Sequence, residues 1–141
     1  MVTTNRLISL DAVGRDGKDL IHLTGLLQVV ARAAMDGSDG LATQVDLRFD
    51  AARVRGVGLK SGARYWAEGL HQSRHQPEEF STPFDVLGRF ALLGLAREDA
   101  PPTRLTLTVR FRVTVPADGR VRVEASDVEL LPDSTDGAPP C

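Results

Sequence analysis

Three side chains able to donate or accept protons recur within residues 61–75. If this stretch is a β-strand, Tyr65, His71 and His75 share one face, because side chains two positions apart point the same way. Small residues stand between them on that face and would leave space around a phenol and two imidazoles. Such a hollow could orient a ligand or move a proton. We therefore predict Tyr65 and His71 as catalytic residues and His75 as a ligand-binding residue.

The same residues also fit a plainer interpretation, in which residues 71–79 form a hydrophilic loop whose histidines have no chemical task. Metal binding fits poorly, since His71 and His75 on a strand would lie about 13 Å apart, too far for one ion. On a helical turn they could chelate, with Glu78 or Glu79 nearby, but no third ligand is fixed by spacing. We predict no metal site and no cofactor.

The opposite face of the same stretch carries Trp66 and Glu68. Trp66 is either a core anchor or an interface residue, and we include it among the ligand-binding residues. Glu68 would act as a general acid if it were buried beside Trp66, and would otherwise be a solvated surface residue. The aromatic residues Phe84 and Phe90 complete the predicted ligand-binding set.

Composition and motifs exclude several kinds of site. The chain has a net charge of -2 and a pI near 5.9, so bulk charge attracts neither nucleic acid nor an anionic membrane. No Gly-x-Ser-x-Gly elbow is present, and the glycines of residues 56–62 do not form a phosphate loop. A basic patch within residues 110–122 is interrupted by nearby acidic residues, which indicates a solvated, charge-compensated sheet face. An oligonucleotide-binding barrel is therefore the weakest alternative.

The clearest structural element is residues 104–131, where apolar and polar side chains alternate as in a half-buried antiparallel hairpin. Parity requires a loop of odd length, because an even loop would set apolar against polar side chains. A three-residue loop at residues 117–119, with Gly119 in the left-handed conformation, places Val113 opposite Val123.

This register also sets Arg112 opposite Glu124, a cross-strand ion pair of up to about 1 kcal/mol that helps to fix the pairing. The apolar phase changes after Ala125, because the next inward-type residues are even-numbered. We therefore predict a β-bulge near Ser126 and Asp127.

The rest of the chain reads as short strands between turn signals. Arg6 to Val13 is predicted to pair with Lys18 to Gly25 across residues 14–17, and residues 44–50, 53–59 and 61–75 are predicted strands. Residues 24–35 and 83–96 fit either a helix or a strand, and we favour strands. The predicted fold is mainly β, an antiparallel meander of about eight strands that is barrel-like; with helices at both segments it would be α+β.

We predict a single β-rich domain over residues 1–131 and a disordered C-terminal tail over residues 132–141, which ends in the free thiol of Cys141. No leader or membrane-span pattern is seen, so we expect a cytoplasmic protein without a membrane partner.

We expect the domain to bind a modest apolar small molecule and, if it is an enzyme, to act on that molecule as a metal-free cyclase or isomerase. The alternative is a non-catalytic module that forms a homodimer or larger homo-oligomer, or docks a partner, through the apolar surface of Leu92, Leu93 and Leu95.

Overall fold

The computed structural model describes residues 1–17, 19–35, 42–76, 83–95 and 103–132 of the chain. Every regular element among them is a strand. The strands are β1 (Val2–Asp16), β2 (Asp19–Met35), β3 (Ala42–Gly58), β4 (Arg64–Glu68), β5 (Leu70–His75), β6 (Phe84–Gly94), β7 (Arg104–Thr114) and β8 (Arg122–Pro132).

The two segments that sequence left open between helix and strand are both strands, lying in β2 and β6. The glycines of β6 show why a strand is favoured there. A Cβ atom on Gly88 would lie 2.8 Å from Cε2 of Phe111, and one on Gly94 would lie 2.9 Å from Cε2 of Tyr65. These glycines leave room for inward-pointing aromatic rings, while in a helix each would cost about 0.8–1 kcal/mol relative to alanine.

The strands form one antiparallel sheet in the order β1-β2-β3-β4-β6-β7-β8, and β5 pairs with β3 outside this path. The two end strands, β1 and β8, approach each other to within 8 Å between Cα atoms. The sheet therefore curls into a nearly closed barrel-like fold, which confirms the predicted fold class.

The C-terminal hairpin has the predicted register. Val113 pairs with Val123, Arg112 pairs with Glu124, and the pairing shifts by one residue at Ser126, where the bulge was expected. Gly119 has a φ of 77°, in the left-handed region that favours glycine. Regular pairing ends at Thr114 and Arg122, so the connection between the strands is longer than the predicted three-residue loop.

The N-terminal hairpin is also present, but its predicted turn at residues 14–17 is wrong. β1 continues through Gly14 to Asp16, which pairs with Asp19, and the turn begins at Gly17, with a φ of 57°. Gly14 instead faces β8, where a Cβ atom would lie 2.6 Å from Cδ1 of Leu130. This glycine allows close approach of the two end strands and makes no turn.

β3 unites two segments that sequence treated as separate strands. Its inward face changes parity between Ala51 and Val54, and its pairing with β2 shifts by one residue at the same place. The backbone N–H of Ala52 donates to Oδ1 of Asp50 at 2.9 Å. This bulge lets one long strand keep an apolar inner face along its whole length.

The inner face of the sheet carries one contiguous apolar core. Phe49 and Phe111 stack near its middle, with ring centroids 4.2 Å apart. No polar or charged residue in the described part of the chain is fully buried. The largest fully buried side chains are Phe49, Phe111, Ile21, Leu23, Leu27, Leu47, Leu92 and Leu107.

Two further observations concern the ends of the chain and its membrane relation. β8 runs to Pro132, and residues 133–141, which hold nearly all of the predicted tail, lie outside the described residues. None of the described segments forms a helix of the length and apolarity needed to cross a membrane.

Candidate functional site

Strand β5 differs from the other strands because its inward-pointing side chains are polar. His71, Ser73 and His75 alternate with exposed residues and are half-buried on the inner face of the sheet. Inward positions elsewhere in the core are dominated by aliphatic and aromatic residues. Polar side chains are costly to bury unless they form hydrogen bonds, so a polar stripe on an apolar inner face makes these residues candidates for a function.

Gly69 explains why β5 leaves the main path of the sheet. The ladder between β4 and β6 runs from Tyr65 opposite Gly94 to Glu68 opposite Ala91 and stops there. Gly69, the next residue, has a φ of 115°, which side-chain-bearing residues rarely adopt. Beyond it β5 pairs only with β3 in the described sheet. Among the described residues no ladder of backbone hydrogen bonds joins β5 to β6, and we call the region between these two strands the β5–β6 opening.

Aromatic and hydrogen-bonding groups meet at one end of the β5–β6 opening. The ring centroids of His75 and Phe84 are 4.7 Å apart, with the rings tilted by 45°. Nε2 of His75 is 2.8 Å from Oγ of Ser73, and the tautomer of the imidazole decides which of the two donates. The opening thus combines a stacking surface with a pair of groups that can exchange a proton.

His71 lies further along β5 against the aromatic core. Its ring centroid is 6.1 Å from that of Phe49, whose ring is tilted by 49°. Burial lowers the pKa of His71 below the ordinary value of 6.5, and the positive charge of Arg89 lowers it further. The imidazole is therefore neutral at neutral pH, with one nitrogen that donates and one that accepts.

Tyr65 does not join the histidines, although it shares their inward direction. It is buried at 7% exposure under Gly94 and Gly56 at the other end of β4. Tyr65 lies opposite Gly56 on β3, whereas His71 lies opposite Phe49, seven residues away along the same strand. The structure thus places Tyr65 in the core and away from the β5–β6 opening.

Trp66 and Glu68 lie on the outer face, opposite to the histidines. Nε1 of Trp66 donates to Oε1 of Glu68 at 3.0 Å, and Glu68 is exposed. Glu68 is therefore not a buried general acid in this structure. Phe90 points inward and is buried, and its ring lies over Gly88.

Of the predicted site residues, the structure brings together His75 and Phe84, with His71 on the same strand. Sequence reasoning did not include Ser73 in the site, because it treated this serine as a small residue and as a nucleophile without a base. The signal was present, since a serine two positions from a histidine on a strand points in the same direction. The alternating pattern alone could not show that Phe84 of another strand lies beside this pair.

The predicted docking surface of β6 is divided between the two faces of its strand. Leu92 is fully buried in the core, Leu93 is half-buried on the outer side, and Leu95 is 52% exposed. No group of three or more His, Cys, Asp or Glu side chains in the described ranges is arranged to hold a metal ion.

The basic patch of the C-terminal hairpin is compensated by acidic residues. Arg110 pairs with Asp127 across the sheet, and its Nη1 lies 3.4 Å from Oδ2 of Asp85. Arg112 lies opposite Glu124 on one side and Asp85 on the other. This agrees with the predicted solvated, charge-compensated face.

Comparisons with known proteins give no relative for this chain. No protein-family model matches it, and searches of curated proteins and of solved structures find no significant match. The function has to be argued from the chemistry of the residues themselves.

Proposed function

We propose that this protein binds a small, mainly apolar molecule at the β5–β6 opening, with His71, Ser73 and His75 as its hydrogen-bonding partners and Phe84 as a stacking partner. The observation that carries this proposal is the polar stripe of β5 on an otherwise apolar inner face, where His75 and Phe84 meet across the β5–β6 opening. Few, well-placed polar groups in apolar surroundings are the usual composition of a small-molecule site.

The side chains define the chemistry of the ligand. The tilted contact between His75 and Phe84 offers a surface for a planar or ring-containing body. A neutral His71 can donate to a carbonyl or accept from a hydroxyl, but it attracts no anion. The ligand is therefore an uncharged molecule with an apolar ring system and at least one hydroxyl or carbonyl group.

The hydrogen-bonded pair of His75 and Ser73 would support proton transfer on such a ligand. An isomerisation or a cyclisation can move a proton from one position of a molecule to another, so its proton steps need only a donor and an acceptor. His75 would exchange the proton with the ligand, and Ser73 would hold the imidazole in one tautomer. Binding is the primary proposal, and catalysis would be built upon it.

Fluorescence of the neutral, apolar dye N-phenyl-1-naphthylamine tests the binding proposal. We expect the dye to brighten with the wild-type protein and to bind roughly tenfold more weakly to Phe84→Ala and His75→Ala, which lose the stacking surface. The matched control is His22→Ala, because His22 lies on the outer face, where its Nε2 is 2.7 Å from Oδ1 of Asp11.

Histidine side-chain NMR gives a second readout, since the chain has three histidines. Addition of the dye should shift the ring signals of His71 and His75 and leave those of His22 unchanged. Dye binding that survives in both Phe84→Ala and His75→Ala, or ring shifts confined to His22, would show that the ligand lies elsewhere.

A further inference from the structure

The outer side of the sheet has a second feature, distinct from the β5–β6 opening although Ser73 borders both. A depression of about 560 Å³ lies on the outer faces of β2, β3 and β5. Its walls include the arginines Arg32, Arg48 and Arg74 and the single carboxylate of Asp46. We call it the outer depression. Its volume is in the range of small-molecule sites, about 300–1,000 Å³.

Strand register explains why these charges converge. Asp46 on β3 lies directly opposite Arg32 on β2 and directly opposite Arg74 on β5. Arg48 follows Asp46 by two residues and shares its outward direction. Side chains directly opposite one another on antiparallel strands have Cβ atoms about 5 Å apart. Three guanidinium groups are thus gathered around one carboxylate.

The charges of the outer depression do not cancel. Nε of Arg74 donates to Oδ1 of Asp46 at 2.8 Å. Arg32 and Arg48 have no hydrogen bond or ion pair with any side chain in the described part of the chain. The site therefore has an excess of about two positive charges, on a chain whose net charge is -2. The overall composition of the chain, which is slightly acidic, does not account for this local excess of positive charge.

The residues that line the outer depression indicate which class of ligand it could bind. Guanidinium groups bind oxyanions through paired N–H donors, and each such charge-assisted hydrogen bond is stronger than a neutral one. Val30, half-buried on the same face, gives the floor an apolar portion, and Gln72 adds an amide at the rim. The surroundings thus suit a compact organic anion.

We propose that the outer depression binds a small molecule carrying a multivalent oxyanion, such as a phosphoryl or polycarboxylate group. Arg32 and Arg48 hold the oxyanion, and Arg74 turns from Asp46 towards it. Asp46 competes with the ligand for the arginines. Loss of Arg48 should therefore weaken ligand binding, whereas loss of the Asp46 carboxylate should strengthen it.

Isothermal titration calorimetry with pyrophosphate and with citrate, at fixed low ionic strength in chloride, tests the proposal. We expect Arg32→Gln and Arg48→Gln each to weaken binding roughly tenfold. We expect Asp46→Asn to strengthen binding roughly threefold or more, because it removes the competing carboxylate. The matched control is Arg15→Gln, an exposed outward arginine at the far end of β1, which should bind as the wild type does.

Comparison of pyrophosphate with citrate identifies which class of oxyanion the outer depression binds. Binding of pyrophosphate alone assigns a phosphoryl ligand, binding of citrate alone assigns a polycarboxylate, and binding of both assigns a site for oxyanion charge in general. Failure of the wild-type protein to bind either one would overturn the proposal. So would equal binding by Arg48→Gln and the wild type, or weaker binding by Asp46→Asn, with circular dichroism confirming that each variant is folded. The dye experiment above is unaffected by either result.

Discussion

Two groups of strands share the alternating pattern but differ in their pairing and in their inner faces. The first group is β6, β7 and β8, and the second is β3, β4 and β5. In the first group the β6–β7 ladder is continuous over Phe84 to Leu93 of β6. The β7–β8 ladder is continuous over Leu105 to Thr114 of β7, apart from one bulge in β8. The inner face of this group is apolar, and Arg110 and Arg112 on its outer face lie opposite acidic residues. In the second group the sheet is interrupted after Glu68 and the inner face of β5 is polar. On the outer face, Arg48 and the neighbouring Arg32 of β2 form no side-chain hydrogen bond or ion pair among the described residues, although Asp46 lies opposite Arg32.

This difference separates structural residues from candidate functional ones. A strand that satisfies its hydrogen bonds, buries apolar side chains and pairs its charges needs no other explanation than stability. A strand that departs from these rules, as β5 does with its polar inner face and its missing ladder to β6, is a better candidate for a function. In the described chain the departures are concentrated on β5 and on the strands beside it.

The largest effect on stability should come from placing a carboxylate on the inner face of β7, compared with the inner face of β5. Val113 is fully buried on β7, so we expect Val113→Asp to lower the free energy of unfolding by about 4 kcal/mol. Ser73→Asp places the same carboxylate on the half-buried face of β5, next to His75, and should cost about 1 kcal/mol or less. Urea denaturation measures both. Equal losses would mean that β5 is as tightly packed as β7, and would remove the basis of the comparison.

A smaller effect should appear in the pH dependence of stability. Because the pKa of folded His71 lies below the ordinary 6.5, the unfolded chain takes up a proton at a higher pH than the folded chain does. The free energy of unfolding should therefore fall as the pH drops below about 6.5, and the fall should end below the folded pKa. One proton changes it by at most about 1.4 kcal/mol per pH unit.

Denaturation of His71→Gln between pH 5 and pH 8 checks this expectation. The variant should lose the His71 part of the slope, while His22→Gln on the outer face should retain it. A slope unchanged in His71→Gln would show that the imidazole is as solvated as in the unfolded chain.

The smallest effect should distinguish the two outer arginine groups. Arg112→Gln removes a partner of Glu124 and should lower the free energy of unfolding by about 0.5 kcal/mol. Arg48→Gln removes a cation without an acidic partner and should leave stability unchanged or slightly raise it. Urea denaturation at low salt should show the difference, and added salt should diminish it. If both variants lose the same stability, the charges around Arg48 are compensated after all.

Much of the fold follows from local alternation. In the C-terminal hairpin, parity alone gave the pairing of Val113 with Val123 and the bulge at Ser126, because a register error by one residue would turn the apolar face outward. Alternation also favoured strands over helices at residues 24–35 and 83–96, as observed.

The errors arise where one residue serves a distant neighbour. Gly14 has the composition of a turn residue, yet it lies within β1 and accommodates Leu130 of the opposite end strand. Residues 61–75 were predicted as one strand, but Gly69 divides them into β4 and β5, and only β4 reaches β6. Local pattern carries no information about which strand lies on the other side.

The candidate site was predictable in part for the same reason. Alternation placed His71 and His75 on one face and Trp66 and Glu68 on the other, and the structure agrees. It did not separate Tyr65 from the histidines, since sharing a face does not imply proximity along a strand. The meeting of His75 with Phe84 depends on the chain returning from β5 to β6.

The sequence by itself determined that the chain forms strands and which of their side chains point inward, because a two-residue period and the hydrophobic effect act within each segment. Only the tertiary structure decided which strands pair and which charges face one another. The opening beside β5 and the gathering of Arg32, Asp46 and Arg74 both come from pairing between segments far apart in the chain. Such pairing depends on the curvature and closure of the whole sheet, which no single segment encodes.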